Sequence, residues 1–217
     1  MTERDLPPTE DLLRVEAAQR RFDEVVASID DATARRPTAL PGWTVGHVLT
    51  HVARNADSHV RRAEAAVRGE VIEQYVGGWE GRAAEIDAGA HRSARELVDD
   101  VRASGERLMA TWLALPGEAW CGMTVDVSGT ERSVRALVSR RWQELEVHVV
   151  DLGLGPTHRD WSDDFVEAFF PRRRSGALRE SPGIELPAST EFRDDREELA
   201  WLFGRAERAD LPRLSPF

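Results

Sequence analysis

Apolar residues return every three or four positions along four long stretches of the chain, the spacing that gathers them on one face of a helix. In the first stretch Leu12, Val15, Phe22, Val25, Val26 and Ile29 mark a helix over roughly 10–29. Thr9 is its expected cap, with Glu10 and Asp11 in the first turn where acids oppose the positive helix end. Thr44 caps a second helix that runs to about Arg68 and stops at Gly69, its inner face formed by Val45, Val48, Leu49, Val52, Ala56, Val60 and Ala63. Ser93-Ala94-Arg95-Glu96 is a capping box and opens a third helix reaching about Leu115. Ser133 caps a fourth, ending near Gly153, with Val134, Leu137, Val138, Arg141, Leu145, His148 and Leu152 along its inward stripe. Arg141 and His148 are unusual members of a core seam. Residues 70–90, with Gly77-Gly78-Trp79, read as a long loop holding at most a helical turn, and Met123–Val127 as a short strand before the turn Ser128-Gly129-Thr130.

Four such helices predict a mainly α fold, a four-helix bundle over residues 1–155. The pattern changes after Gly155-Pro156. A short helix is expected from Ser162 to Phe170, ended by Pro171, then a strand at Gly183-Ile184-Glu185-Leu186 and a last helix from Glu197 to Arg205. Residues 156–217 are therefore expected to form a small C-terminal α/β appendage.

Composition narrows the function classes. The net charge of −10, without a concentrated basic patch, argues against nucleic acid and anionic membranes as partners. No apolar run approaches membrane-spanning length, and the N-terminus has no signal-peptide pattern. Cys121 is the single cysteine, so no intrachain disulfide forms, and a cytoplasmic location is the expectation. All 29 basic residues are arginine, which removes Schiff-base and P-loop lysine chemistry and leaves arginine to bind any carboxylate.

The fourth helix carries the most informative chemistry. Glu144 and His148 stand four residues apart and point at one spot, as two ligands of a divalent metal, usually zinc, or as a hydrogen-bonded structural pair. The second helix offers His47, His51, Asn55 and His59 at four-residue spacing on the flank of its apolar face. His51 is the best third ligand and His47 the alternative; on spacing alone a histidine on a helix flank is more often structural than a ligand. Arg141 needs an anion, either a substrate carboxylate or an internal partner. Asp151 either orients the His148 imidazole or closes the helix. Asn55 either hydrogen-bonds a ligand or lies on the surface. Glu146 is expected to be solvated, Cys121 to be a small core residue, and Arg172-Arg173-Arg174 to be a solvated face.

The stretch from Leu40 to Ala53, with Pro41-Gly42-Trp43-Thr44-Val45-Gly46-His47 and Leu49-Thr50-His51, resembles the helix-two signature of the DinB-like metal-binding bundles, in their mycothiol-dependent maleylpyruvate isomerase branch. Ala84–Ala90 and Glu144–Gly153 resemble the same branch, and the likeness spans roughly residues 10–155. It implies His51, Glu144 and His148 as metal ligands, leaves His47 out, and implies zinc and mycothiol as cofactors. Leu202-Phe203-Gly204-Arg205 resembles a C-terminal segment of the family, which implies Arg205 as the catalytic arginine, although 178–192 is shorter than the family pattern. Arg141 and Asn55 are then the expected cofactor contacts. The reaction implied is cis–trans isomerisation: mycothiol thiolate adds to the cis double bond of maleylpyruvate, the new single bond rotates, and the thiolate leaves. The partners expected are thus a small-molecule thiol and a small electrophilic or carboxylate substrate. A mycothiol S-transferase, whose thiolate stays attached to another electrophile, and a non-catalytic metal-binding bundle are the alternatives.

Overall fold

The computed structural model describes residues 6–180, 186–206, 208, 210 and 211. The chain forms two compact units, Met1–Leu152 and Gly153–Phe217.

In the first unit the four long helices are α1 (Thr9–Val26), α3 (Val45–Val67), α5 (Ala94–Leu113) and α6 (Val134–Asp151), joined by the short α2 (Asp31–Ala34) and by α4 (Gly78–Gly89). The long helices pack α3 on α5, α1 on α6, α3 on α6 and α1 on α5, which closes a four-helix bundle. Its interior is built from the periodic positions, including Val15 and Phe22 of α1, Leu49 and Val52 of α3, Leu97 and Val101 of α5, and Leu137, Val138 and Leu145 of α6, all buried. The capping box at α5 forms as expected, with the Ser93 backbone N–H donating to Glu96 Oε2 at 2.9 Å. The α1 cap differs: Pro8 holds that position and Thr9 is already helical. β1 (Met123–Val125) pairs antiparallel with β2 (Glu131–Ser133), Met123 opposite Ser133.

The entry to α3 is a turn with Pro41 at its second position and Gly42 at its third, Gly42 having φ +78° and the Trp43 N–H donating to the Leu40 carbonyl at 3.0 Å. This is the residue order that a type II turn demands. Two residues into the helix, Gly46 lies so close to the end of α4 that a Cβ there would stand 2.2 Å from the Ala90 carbonyl oxygen. Glycine at Gly46 therefore lets α3 and α4 meet.

The expected loop over 70–90 contains the twelve-residue α4. Only Ile86 of this helix is buried, so no apolar stripe announces it, and the Gly77-Gly78 pair, both at positive φ, forms the bend into the helix.

In the second unit, α7 (Asp163–Glu180) continues through Pro171 instead of ending there. Proline removes one backbone hydrogen bond, and side-chain anchors beyond it hold the helix to its neighbours: Arg173 Nε donates to the Leu202 carbonyl at 3.0 Å, and Arg174 donates to the Pro187 carbonyl at 2.8 Å and pairs with the buried Glu198. Of the arginine run, Arg172 is exposed as expected, while the half-buried Arg173 and Arg174 serve as anchors. α8 (Asp195–Leu202) is capped by Asp194, which accepts from the Glu197 N–H at 2.9 Å, so this helix starts and stops a few residues earlier than expected. Trp161 packs against Phe165 and Phe203 with ring centroids 5.2 and 5.8 Å apart. Of the strand expected at 183–186, residues 183–185 lie outside the described residues.

Candidate metal centre

α3 presents His51 and α6 presents Glu144 and His148 across the α3–α6 interface. His51 Nε2 is 2.8 Å from Glu144 Oε2, and His148 Nε2 is 3.2 Å from the same oxygen. The two imidazoles meet edge to face, their centroids 4.6 Å apart. One ligand atom from each of the three residues falls within 4.8 Å of the others, so the group could hold a metal ion. Ligand atoms around a tetrahedral zinc at ~2.05 Å stand ~3.3 Å apart. The two separations from Glu144 Oε2 lie near that value.

Two of the three charge states suit a cation as they stand, and His148 must release a proton to bind one. Burial works to raise the Glu144 pKa, but hydrogen bonds from His148 and His51 outweigh it and hold the carboxyl well below its ordinary range. Burial pushes His51 down to about 4 against the pull of Glu144, which keeps its imidazole neutral. Burial would also lower His148, but the hydrogen bond to Asp151 and the contact with Glu144 raise it above its usual value. Asp151 Oδ2 lies 2.8 Å from His148 Nδ1, which directs Nε2 toward Glu144. A carboxylate behind a ligating histidine is the usual support of such a ligand. Two neutral-capable imidazoles and one carboxylate are the donor set of a catalytic zinc, which keeps a further position open.

His47 lies outside this group. Its Nδ1 accepts the Thr44 backbone N–H at 3.2 Å and sits 2.8 Å from Thr44 Oγ1, so it caps α3. Asn55 is buried, not superficial: its Oδ1 accepts from Arg141 Nη1 at 3.0 Å. Arg141 is fully buried and also donates to the Val52 carbonyl at 2.7 Å and to Gln19 Oε1 at 3.0 Å, joining α1, α3 and α6. Glu146, expected in solvent, is buried between Arg21 and the Trp142 indole N–H, because this face of α6 packs on α1. Cys121, expected in the core, is exposed. Arg205 belongs to the second unit, where its Nη1 donates to the Phe203 carbonyl at 2.6 Å.

Two neighbours escaped the sequence reading. Arg82 of α4 places Nη2 3.2 Å from His51 Nδ1. Tyr75 is buried beside Asn55 and Arg82, yet its hydroxyl makes no well-formed hydrogen bond among the described residues. Both lie in the stretch expected to be a loop.

Deeper in α3, His59 is buried against Trp112, its Nδ1 bonded to Arg62 at 2.5 Å. Burial first, then Arg62, pushes its pKa well below the usual value. The unfolded chain takes up a proton here below pH ~6.5 while the folded protein does not, so this contribution is complete above that pH and is lost below it. Denaturant unfolding of wild type and His59→Gln at pH 7 and pH 5 should show wild type losing about 1–2 kcal/mol more on acidification. Equal losses would remove His59 as a source of acid sensitivity.

A helical bundle that gathers two histidines and a glutamate from facing helices in this way belongs to the class of metal-binding four-helix bundles. More narrowly, the chain belongs to the family described as the mycothiol maleylpyruvate isomerase N-terminal domain, which matches residues 15–153. A crystal structure of the mycothiol-dependent maleylpyruvate isomerase is similar over 100% of both chains, with a TM-score of 0.87 and 22% identity. A histidine-to-alanine mutant of such an isomerase gives a TM-score of 0.87 at 21% identity, again over 100% of both chains. At that identity the likeness establishes the shared fold. A search of curated proteins finds no match. No helix among the described residues is long and apolar enough to cross a membrane.

Proposed function

We propose that this chain is a zinc- and mycothiol-dependent isomerase acting on maleylpyruvate by cis–trans isomerisation. The observation that carries the reading is the convergence of His51, Glu144 and His148 in a chain of this family. A divalent ion, when bound, supplies Lewis acidity that keeps a thiol in its nucleophilic thiolate form at neutral pH. His51, Glu144 and His148 are the residues that would hold it. Asp151 fixes the His148 ring. Arg141 and Asn55 were expected to touch the cofactor, but the hydrogen bonds they make are to each other and to neighbouring helices. We assign them the task of holding α3 and α6 at the separation the ligands require. Arg205 is the proposed catalytic arginine, donating to the substrate oxygen on which charge collects as the thiol adds.

The test is turnover of maleylpyruvate by zinc-loaded protein with and without mycothiol. Fumarylpyruvate should form only when thiol is present, and the thiol should be recovered unchanged. A thiol–substrate adduct as the sole product, seen by mass spectrometry, would replace this reading with an S-transferase. Arg205→Ala should lower kcat by roughly 100-fold, the scale of losing one oxyanion donor, with zinc content unchanged. Unaltered turnover would remove Arg205 from the mechanism.

A further inference from the structure

Arg82 is an arginine prepared for an anion that the protein does not provide. Its guanidinium lies 5.7 Å from the Trp43 ring centre, 5.9 Å from that of Tyr75 and 5.7 Å from that of Trp79. Three aromatic faces at cation–π distance fix the position of a long side chain that would otherwise wander. Carboxylates outnumber arginines 39 to 29 in this chain, and many of the arginines pair with one, as Arg54 and Arg92 both do with Asp100. Among the described residues no carboxylate pairs with Arg82; its polar neighbours are His51 Nδ1, at 3.2 Å from Nη2, and the Tyr75 hydroxyl. A guanidinium carries five N–H donors, so most of Arg82's remain to be used.

The bond to His51 is itself conditional. Arg82 can donate to His51 Nδ1 only while that nitrogen lacks a proton, with the proton on Nε2 facing Glu144 Oε2 at 2.8 Å. A neutral imidazole that offers Nε2 to a cation carries its proton on Nδ1. Arg82 Nη2–H and His51 Nδ1–H then face each other as two donors with no acceptor between them. A carboxylate oxygen accepts from both and cancels the guanidinium charge. The exposed Trp79 and half-buried Trp43 put Arg82 on the solvent side of His51, where a small molecule can arrive.

We propose that Arg82, caged by Trp43, Tyr75 and Trp79, is the carboxylate clamp of the substrate pocket and holds one acid group of the substrate against His51 Nδ1. The inference rests on the isomerase reading for the identity of that acid, a cis-olefinic dicarboxylate. Its role is to orient the substrate, distinct from the charge-stabilising role given to Arg205.

The clamp is tested by binding, apart from turnover. Maleate is titrated into zinc-loaded protein without thiol, and tryptophan fluorescence is followed, since Trp43 and Trp79 flank the site. Saturable binding is expected in wild type. Arg82→Gln should weaken it by roughly tenfold to 100-fold, the scale of a lost hydrogen-bonded charge, with zinc content and circular dichroism unchanged. Arg61→Gln removes the same charge from α3 at a residue that donates to the Gln74 carbonyl at 2.7 Å, and should bind maleate as wild type does. In the isomerase assay Arg82→Gln should raise KM for the acid more than it lowers kcat. No saturable binding in wild type, equal affinity in Arg82→Gln, or an equal loss in Arg61→Gln would overturn the clamp. Absence of thiol-dependent turnover in wild type would overturn the isomerase reading, and the maleate titration would still decide Arg82.

Discussion

His51→Ala should lower zinc affinity by at least ~100-fold, since changing even a residue behind a ligand costs tenfold to 100-fold. Zinc retained after dialysis, measured by plasma mass spectrometry, should fall from one ion per chain to a trace, and thiol-dependent turnover should fall with it. The effect is large because His51 is the one ligand supplied by α3; Glu144 and His148 both come from α6. Its loss leaves an i,i+4 pair on a single helix. Far-ultraviolet circular dichroism should hardly change, because the bundle interior lies in the apolar seams of four helices. A His51→Ala protein that keeps one tightly held zinc would mean that the ion sits elsewhere.

Arg141→Ala should destabilise the bundle by about 3–5 kcal/mol, through a cavity and the loss of partners for Asn55 Oδ1 and Gln19 Oε1. In a chain of this size that lowers the melting midpoint by roughly 10 °C. Burial pushes even this guanidinium down to about 10, with Glu144 the largest opposing influence. Arg141→Met fills most of the volume and removes the buried charge, so its loss should be smaller. If Arg141→Ala melted like wild type but raised KM for mycothiol, Arg141 would be a cofactor contact and its assigned structural duty would be wrong.

The bundle and the Glu144–His148 pair were legible because their signals are local or periodic. The Ser93–Glu96 box and the stripes of α3 and α6 announce themselves within a few residues, as do the i,i+4 pair Glu144–His148 and the i,i+3 pair His148–Asp151. What failed depended on partners distant in sequence. Glu146 reads as a surface acid until α1 brings Arg21 to it, and Asn55 as a surface amide until Arg141 arrives from α6. α4 hides because it buries little, and Arg82 is hidden with it: the rings that cage it come from residues 43, 75 and 79, and no spacing rule joins these. Pro171 marks a stop by local rule, but the anchors of Arg173 and Arg174 carry α7 past it. His51 stood between these cases, since its four-residue series with His47, Asn55 and His59 could not by itself single out the ligand.

The central claim is that His51, Glu144 and His148 hold one metal ion with a position left for a thiol. Cobalt(II) replaces zinc in such sites and reports its ligands by absorption. Titrating the cobalt-loaded protein with mycothiol should produce a sulfur-to-cobalt charge-transfer band that saturates at one thiol per metal. A cobalt spectrum indifferent to the thiol, or a protein that binds no cobalt, would contradict the account.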